Sequence, residues 1–406
     1  MIKRPLYINH ILNYIGKEPI KVITGIRRSG KSFILKLIME ELHNRGVDGE
    51  HILYINFENL EYIDIIDAKT LNDYVLKHSQ SDGQMYILLD EIQNVDGWER
   101  AVNSFRVSMD ADIYVTGSNS KLLSSEISTY IAGRYVSFCV ETLSFSEYLD
   151  FVHYEKLDEK TKLREQFERY MRLGGFPVIH TMNFTEDESY EIVKEIFNTV
   201  MYRDTIQKNK IRNVDLLKRL LNYLIDNVGN LFTAKKIADF FRSEHRAVDV
   251  NTVYNYLDAL ESTYVIRKVN RYNIKGKDLL RVNDKYYLGD HALGFALGGF
   301  NSNKIAGVLE NIVYLEFQRR GYKTYIGKLG TQEVDFVGER RGEMVYVQVC
   351  YLLASDETRH REYAPLKAIN DNYPKYVVSM DTLWNGNDEG IQSMHIADFL
   401  LKKEWR

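Results

Sequence analysis

The chain has 406 residues, 45% of them apolar and 27% charged, with a formal net charge of -4. Such a composition is that of a folded protein of two to four domains and excludes a disordered or low-complexity chain. The charge is too close to neutral to argue for or against a polyanionic partner, and no apolar run is long enough to cross a bilayer.

The amino terminus, MIKRPLYINHILNYIGKEPI, lacks the apolar core of a secretory signal. Residues 20 to 140 then alternate short apolar strands with amphipathic helical stretches: IKVITG, KSFILKLIMEELHNRG, HILYINF, AKTLNDYVLKHSQ, MYILLDE, GWERAVNSFRVSM, DIYVTG and YVSFCVE. That alternation is the pattern of βαβ units and predicts an α/β fold with a mainly parallel sheet covered on both faces. Residues 144 to 205 turn helical around Leu173-Gly174-Gly175-Phe176-Pro177, as a helical lid would. Residues 207 to 285 read as three helices, the second opened by a threonine cap, followed by a hairpin, which is the order of a winged helix-turn-helix. The remainder is α/β again: an apolar helix, three strands, then a helix, a strand and a short helix. The two cysteines, Cys139 and Cys350, lie in strand-like runs and read as buried, reduced thiols, which fits a cytoplasmic protein.

Gly25-Ile26-Arg27-Arg28-Ser29-Gly30-Lys31-Ser32 satisfies the GxxxxGK[ST] pattern between a strand and a helix, the context the pattern needs. Backbone N–H groups from Gly25 through Arg28, Ser29 and Gly30 to Phe33 would face phosphates, aided by the helix dipole. Lys31 would reach the β- and γ-phosphates of ATP, and the Ser32 hydroxyl would ligate Mg²⁺. Two βα units later, Tyr86-Ile87-Leu88-Leu89 ends in Asp90 and Glu91. Asp90 would hold the metal's hydration shell and Glu91 would polarise the attacking water. Asn119, with Ser118 beside it, closes the next strand where a γ-phosphate sensor belongs, at the carboxyl end of a parallel strand. Asn56 either holds Glu91 inactive or simply turns the chain at a strand end. Arg134 is a candidate arginine finger toward a neighbouring subunit.

Taken together, GIRRSGKS, YILLDEIQ, VTGSN, AGRY and GGFP resemble the AAA+ ATPases, specifically the archaeal and bacterial ATPase group related to the STAND signalling ATPases. The resemblance implies that Gly175, Phe176 and Pro177 belong to a helical lid, with Pro177 near the adenine, and that the protein forms a homo-oligomer. An ordinary helix-breaking turn is the other reading of GGFP. The same order of domains implies a winged helix at 207-290 after an ATPase core at 1-142 and a lid at 143-206. It also implies a PD-(D/E)XK nuclease-like domain at 291-406, carried by Glu310, Asp335, Gln348 and Cys350. An active nuclease needs an acid and a lysine where Gln348 and Cys350 stand, so hydrolysis there is expected to be lost.

Between residues 207 and 285 there are 16 lysines and arginines against 9 aspartates and glutamates. Lys235, Lys236, Arg242, Arg246, Arg267, Lys268, Arg271, Lys275 and Lys277 gather around the expected turn and wing, where DNA phosphates would be met. The expected recognition helix, Val250 to Leu257, is polar and aromatic and either reads bases or only packs. The leading expectation is therefore an ATP- and Mg²⁺-dependent ATPase acting on DNA as a remodeller or translocase. The alternatives are a STAND-type nucleotide-gated protein switch and an ATP-dependent nuclease.

Overall fold

A computed structural model describes residues 2–123, 131, 133–153, 160–182, 184–246, 248–299, 301–381 and 386–405. The chain forms two compact units: Met1–Glu141 with Ser262–Tyr264, and Thr142–Glu261 with Val265–Arg406. Among the described residues no helix is long and apolar enough to cross a membrane.

The first unit is built on β1 (Ile20–Thr24), β2 (Ile52–Asn56), β3 (Met85–Asp90), β4 (Ala111–Gly117) and β5 (Tyr135–Cys139). They form one sheet in the order β2-β3-β4-β1-β5, and every pairing is parallel. Successive side chains on a strand point to opposite faces. Accordingly Leu88 packs with Ile23 and Tyr114 under helices Pro5–Leu12 and Lys31–Asn44. Ile87 and Leu89 pack on the other side with Leu71, Val75, Trp98 and Phe105 from helices Ala68–Lys77 and Trp98–Ser108. The expected parallel sheet covered on both faces is what forms. Cys139 departs from expectation: β5 is an edge strand, and its alternation turns the Cys139 thiol outward, exposed beside Glu141 at 3.3 Å.

The second unit opens with helices Phe145–Phe151, Lys160–Leu173, Pro177–His180 and Glu186–Thr199. Three more follow, Val214–Asp226, Ala234–Ser243 and Val250–Ser262, and the Thr233 hydroxyl caps the middle one by accepting from Lys236 N–H at 3.1 Å. Next come β6 (Ile266–Asn273) and β7 (Asp278–Leu288), an antiparallel hairpin. After helix Ile305–Arg319 the chain forms β8 (Lys323–Leu329), β9 (Gln332–Arg340), β10 (Glu343–Val349), helix Asp356–Lys367, β11 (Lys375–Ser379), β12 (Gly386–Asp388), β13 (Ile391–His395) and helix Ile396–Leu401.

The hairpin does not stand apart from these strands. Arg271, Tyr272 and Asn273 of β6 pair in parallel with Ile326, Gly327 and Lys328 of β8, giving one sheet in the order β12-β13-β11-β10-β9-β8-β6-β7. Its core is shared more widely still. Phe145, Tyr148, Phe167 and Tyr170 pack with Ile312, Phe317, Phe336 and Val347, and Arg319 donates to the carbonyls of Thr142 and Leu143 at 3.2 and 3.0 Å.

Candidate functional site

The loop that leaves β1 is shaped by what its backbone cannot accommodate. A Cβ on Gly25 would lie 2.1 Å from the Val140 carbonyl oxygen, and the residue sits at φ 144, so only glycine fits. Gly30 caps helix Lys31–Asn44 in a left-handed conformation at φ 99. Arg28, exposed, also has positive φ. Between them Ser29 is wholly buried, and its hydroxyl has no hydrogen-bond partner among the described residues. A buried orphan hydroxyl carries a desolvation cost of about 1–3 kcal/mol, which a phosphate oxygen would relieve. The loop leaves the carboxyl end of β1, which pairs with β4 and β5, and ligands of open parallel sheets sit at that end of the strands.

Lys31 is buried and folds back on the loop, donating to the Gly25 and Ile26 carbonyls at 3.1 and 3.2 Å, with its Nζ 3.9 Å from Glu91 Oε1. Ser32 is half-buried in the first helical turn, and Phe33 packs partly into the core beside it.

Asp90 is fully buried at the end of β3, and both its oxygens are engaged. Thr116 Oγ1 donates to Oδ1, while Tyr54 OH and Asn56 Nδ2 donate to Oδ2 at 2.9 and 3.3 Å. Burial, and then the adjoining Asp90 charge, push the Tyr54 phenol well above its ordinary pKa, so it stays a donor. Glu91 follows in a left-handed conformation at φ 57 and donates its backbone N–H to Thr116 Oγ1 at 2.9 Å. One threonine thus orients both acids. The Glu91 carboxylate accepts from Gln93 Nε2, and the same amide nitrogen reaches Ser118 Oγ at 3.4 Å. Asn119 is buried and accepts from Lys121 N–H at 2.8 Å.

These contacts bring Lys31, Ser32, Asp90, Glu91, Ser118 and Asn119 together at one end of the sheet, and they revise one expectation. Asn56 holds Asp90, not Glu91; the amide on Glu91 is that of Gln93, two residues further along YILLDEIQ. Thr116 and Tyr54 also escaped notice, because their roles depend on strands paired side by side and not on adjacency in sequence. Arg134 lies at the other end of the sheet. Ile20, which opens β1, donates to the Arg134 carbonyl at 2.9 Å, and the exposed guanidinium meets Asn103 at 3.1 Å, so the chain does not deliver it to its own loop. Ala132 of AGRY lies outside the described residues.

Gly174 and Gly175 have packing reasons of their own. A Cβ on Gly174 would come within 2.1 Å of Asp290, and one on Gly175 within 2.5 Å of the Leu143 carbonyl oxygen. Pro177 opens the short helix that follows, and Phe176 is buried.

Of the basic residues around the three helices and hairpin, several are already committed. Arg242 pairs with Asp239 at 2.8 Å, Arg246 with Asp215 at 2.6 Å and Lys268 with Asp284 at 3.0 Å. Arg267 and Arg271 are partly buried strand residues. Lys235, Lys236, Lys275 and Lys277 are exposed and form no salt bridge among the described residues.

In the carboxy-terminal strands, Asp335 on β9 and Gln348 on β10 lie side by side: Asp335 N–H donates to Gln348 Oε1 at 3.3 Å, and Asp335 Oδ2 accepts from Val349 N–H at 2.8 Å. Gln348 Nε2 passes on to Glu362 at 2.9 Å. Cys350 lies two residues further on, close enough for the Glu362 and Asp335 charges to act on its thiol. It is buried with Leu353, Tyr363 and Leu366, where burial drives its thiol pKa far upward. Although Cys350 removes the expected lysine, a cation is present nonetheless. Lys285 of β7 extends its Nζ to Glu310 at 3.2 Å, Glu333 at 2.9 Å and Asp335 at 3.7 Å.

Over 404 residues the chain is 36% identical to an uncharacterized protein of Haemophilus influenzae (strain ATCC 51907 / DSM 11121 / KW20 / Rd), with 99% of each chain covered. The chain belongs to that protein's family. Uncharacterized protein MJ1544 of Methanocaldococcus jannaschii is a further relative, 32% identical over 413 residues, 98% of this chain and 88% of its own. Residues 17–149 match the family described as an AAA domain, and residues 164–304 match a domain of unknown function, DUF8612. Among solved structures, the Walker-type ATPase PABY2304 of Pyrococcus abyssi aligns with a TM-score of 0.46 at 15% identity, over 73% of this chain and 96% of that one. The AAA domain spans the loop, Asp90, Glu91 and Asn119, so the geometry described above is that of an AAA-type ATPase fold.

Proposed function

We propose that the chain binds and hydrolyses ATP with Mg²⁺, and that this chemistry belongs to the Gly25–Ser32 loop and the Asp90-Glu91 pair. The observation that carries this reading is the meeting of Lys31 and Glu91 at 3.9 Å over a loop with a buried orphan hydroxyl at Ser29. Gly25, Arg28, Ser29, Gly30 and Phe33 supply backbone donors to the phosphates, and Lys31 exchanges its loop carbonyls for phosphate oxygens. Ser32 would hold the magnesium ion directly and Asp90 would hold it through its water shell; once bound, the metal neutralises phosphate charge. Glu91 accepts a proton from the attacking water, and Asn119, with Ser118, senses the γ-phosphate. Phosphate release by the wild type, Lys31→Ala and Glu91→Gln tests this. Glu91→Gln is expected to keep nucleotide binding and to lose turnover by about 10²–10⁴-fold. Turnover at the wild-type rate would end the assignment.

We further propose functional segments of an ATPase core at 1-142, a helical lid carrying Pro177 at 143-206, a winged helix at 207-290 and an inactive nuclease-like domain at 291-406. DNA is the proposed object, supported by exposed Lys235, Lys236, Lys275 and Lys277, with Arg242 and Arg246 able to exchange carboxylate for phosphate. Arg134, exposed and remote from its own loop, would then serve a neighbouring copy in a homo-oligomer. Mass measurement with a non-hydrolysable ATP analogue tests that role.

A second reading, the nucleotide-gated switch, is favoured by the Gln93 amide on Glu91, which occupies the carboxylate before any water can. ATP-dependent self-association without DNA would support it over the remodeller.

A further inference from the structure

A PD-(D/E)XK resemblance implies that carboxylates such as Glu310 and Asp335 would hold a divalent metal. The residues present do not fit one. Mg²⁺ requires oxygens at about 2.0–2.1 Å in octahedral array, and Ca²⁺ at about 2.3–2.6 Å. Among the described residues, no group of three or more His, Cys, Asp or Glu side chains is arranged to hold a metal. The space between these acids is filled instead by Lys285 Nζ, within 3.7 Å of an oxygen of Glu310, Glu333 and Asp335.

The lysine is built into this position. Its side chain is only 4% exposed, and it shares a strand face with Tyr287, two residues on, whose hydroxyl donates to the same Glu310 Oε2 at 2.8 Å. Asp335 Oδ1 faces the ammonium, while Oδ2 is occupied by the Val349 N–H. Burial raises the Glu310 and Asp335 carboxyls above the ordinary range and Lys285 opposes the rise; burial pulls the ammonium down, and the acids around it together more than offset that.

We infer that Lys285 is the resident cation of the Glu310, Glu333 and Asp335 cluster: its ammonium takes the place of a divalent metal, closes the site to metal, and locks the β6–β7 hairpin onto helix Ile305–Arg319 and β9. Removal of the ammonium opens a divalent-cation site at these carboxylates. The inference rests on the carboxylate geometry and is independent of the ATP site.

Mn²⁺ binding to the full-length, nucleotide-free chain, followed by loss of the free-ion paramagnetic resonance signal, tests it. In the wild-type background Asp335→Asn should leave Mn²⁺ stoichiometry unchanged. Lys285→Met, which retains the apolar stem, should add one Mn²⁺ per chain, and Lys285→Met/Asp335→Asn should lose it again. Circular dichroism establishes that each variant is folded. The inference is overturned if Asp335→Asn removes a Mn²⁺ ion from the wild-type chain, a result that does not depend on whether Lys285→Met folds. It is equally overturned if folded Lys285→Met gains no ion.

Discussion

Gln93 donates its side-chain amide to the Glu91 carboxylate and with the same nitrogen touches Ser118 Oγ, joining the proposed base to the loop that ends in Asn119. Gly117 leaves room for the amide: a Cβ there would lie 2.3 Å from Gln93 Oε1. In this state Glu91 is oriented but occupied.

Gln93→Leu should therefore release Glu91. The expected outcome is a basal ATP hydrolysis rate several-fold above wild type with nucleotide affinity unchanged, measured by phosphate release at saturating ATP. If instead the rate falls, Gln93 positions Glu91 for water and does not restrain it.

Thr116 orients both acids. Thr116→Val leaves a buried Asp90 oxygen and the Glu91 N–H without their partner, at a cost of about 1–3 kcal/mol for each orphaned group. Thr116→Ser keeps the hydroxyl and should retain most of the stability. Urea unfolding of the two variants makes the comparison.

Gly25→Ala is expected to abolish nucleotide binding outright, because the new methyl would overlap the Val140 carbonyl at 2.1 Å and the backbone stands at φ 144. Fluorescent-nucleotide titration is the direct measurement. Affinity within about threefold of wild type would mean that the loop can rebuild itself, contrary to the steric argument.

If the basic hairpin and helices meet DNA phosphates, Lys275→Ala/Lys277→Ala should weaken binding evenly across sequences and reduce the steepness of its salt dependence by about one unit per phosphate lost. Affinity that stays constant between low and high salt would remove DNA as the object.

Two histidines, half-buried His180 and buried His395, set an acid limit. Burial lowers His180 to about 4, and burial with the Arg164 guanidinium beside it lowers His395 to about 4. Both are neutral in the folded chain, while the unfolded chain protonates them near 6.5, so the unfolded state binds more protons. The stability they contribute is present above pH 6.5 and is lost as pH falls toward 4, up to about 3 kcal/mol for each. His180→Gln, which can still donate to the Gly174 carbonyl, should flatten this slope in chemical denaturation between pH 7 and 4.

The Gly25–Ser32 loop was legible because its eight residues are contiguous and their strand and helix flanks can be read from local periodicity. The two acids were legible for the same reason, as the end of an apolar strand. What surrounds them was not: Tyr54, Thr116 and Gln93 act across paired strands and a turn, and their meaning depends on register. The Cys139 thiol was misread because YVSFCV gives no sign that its strand lies at a sheet edge. The short β12–β13 pair escaped notice because Gly386–Asp388 has almost no apolar content. Lys285 was hidden more deeply. Counted as one of 16 basic residues in a segment read as a phosphate-facing surface, it points inward to three acids far along the chain.

The hairpin's three ladder pairs with β8 have a mechanical consequence. A load applied at the Lys275–Lys277 tip enters the plane of an eight-stranded sheet and is resisted by hydrogen bonds in shear. A tip on a flexible tether would swing away under the same pull. Here the tip is the end of a stiff beam, joined through the sheet to strands more than a hundred residues downstream.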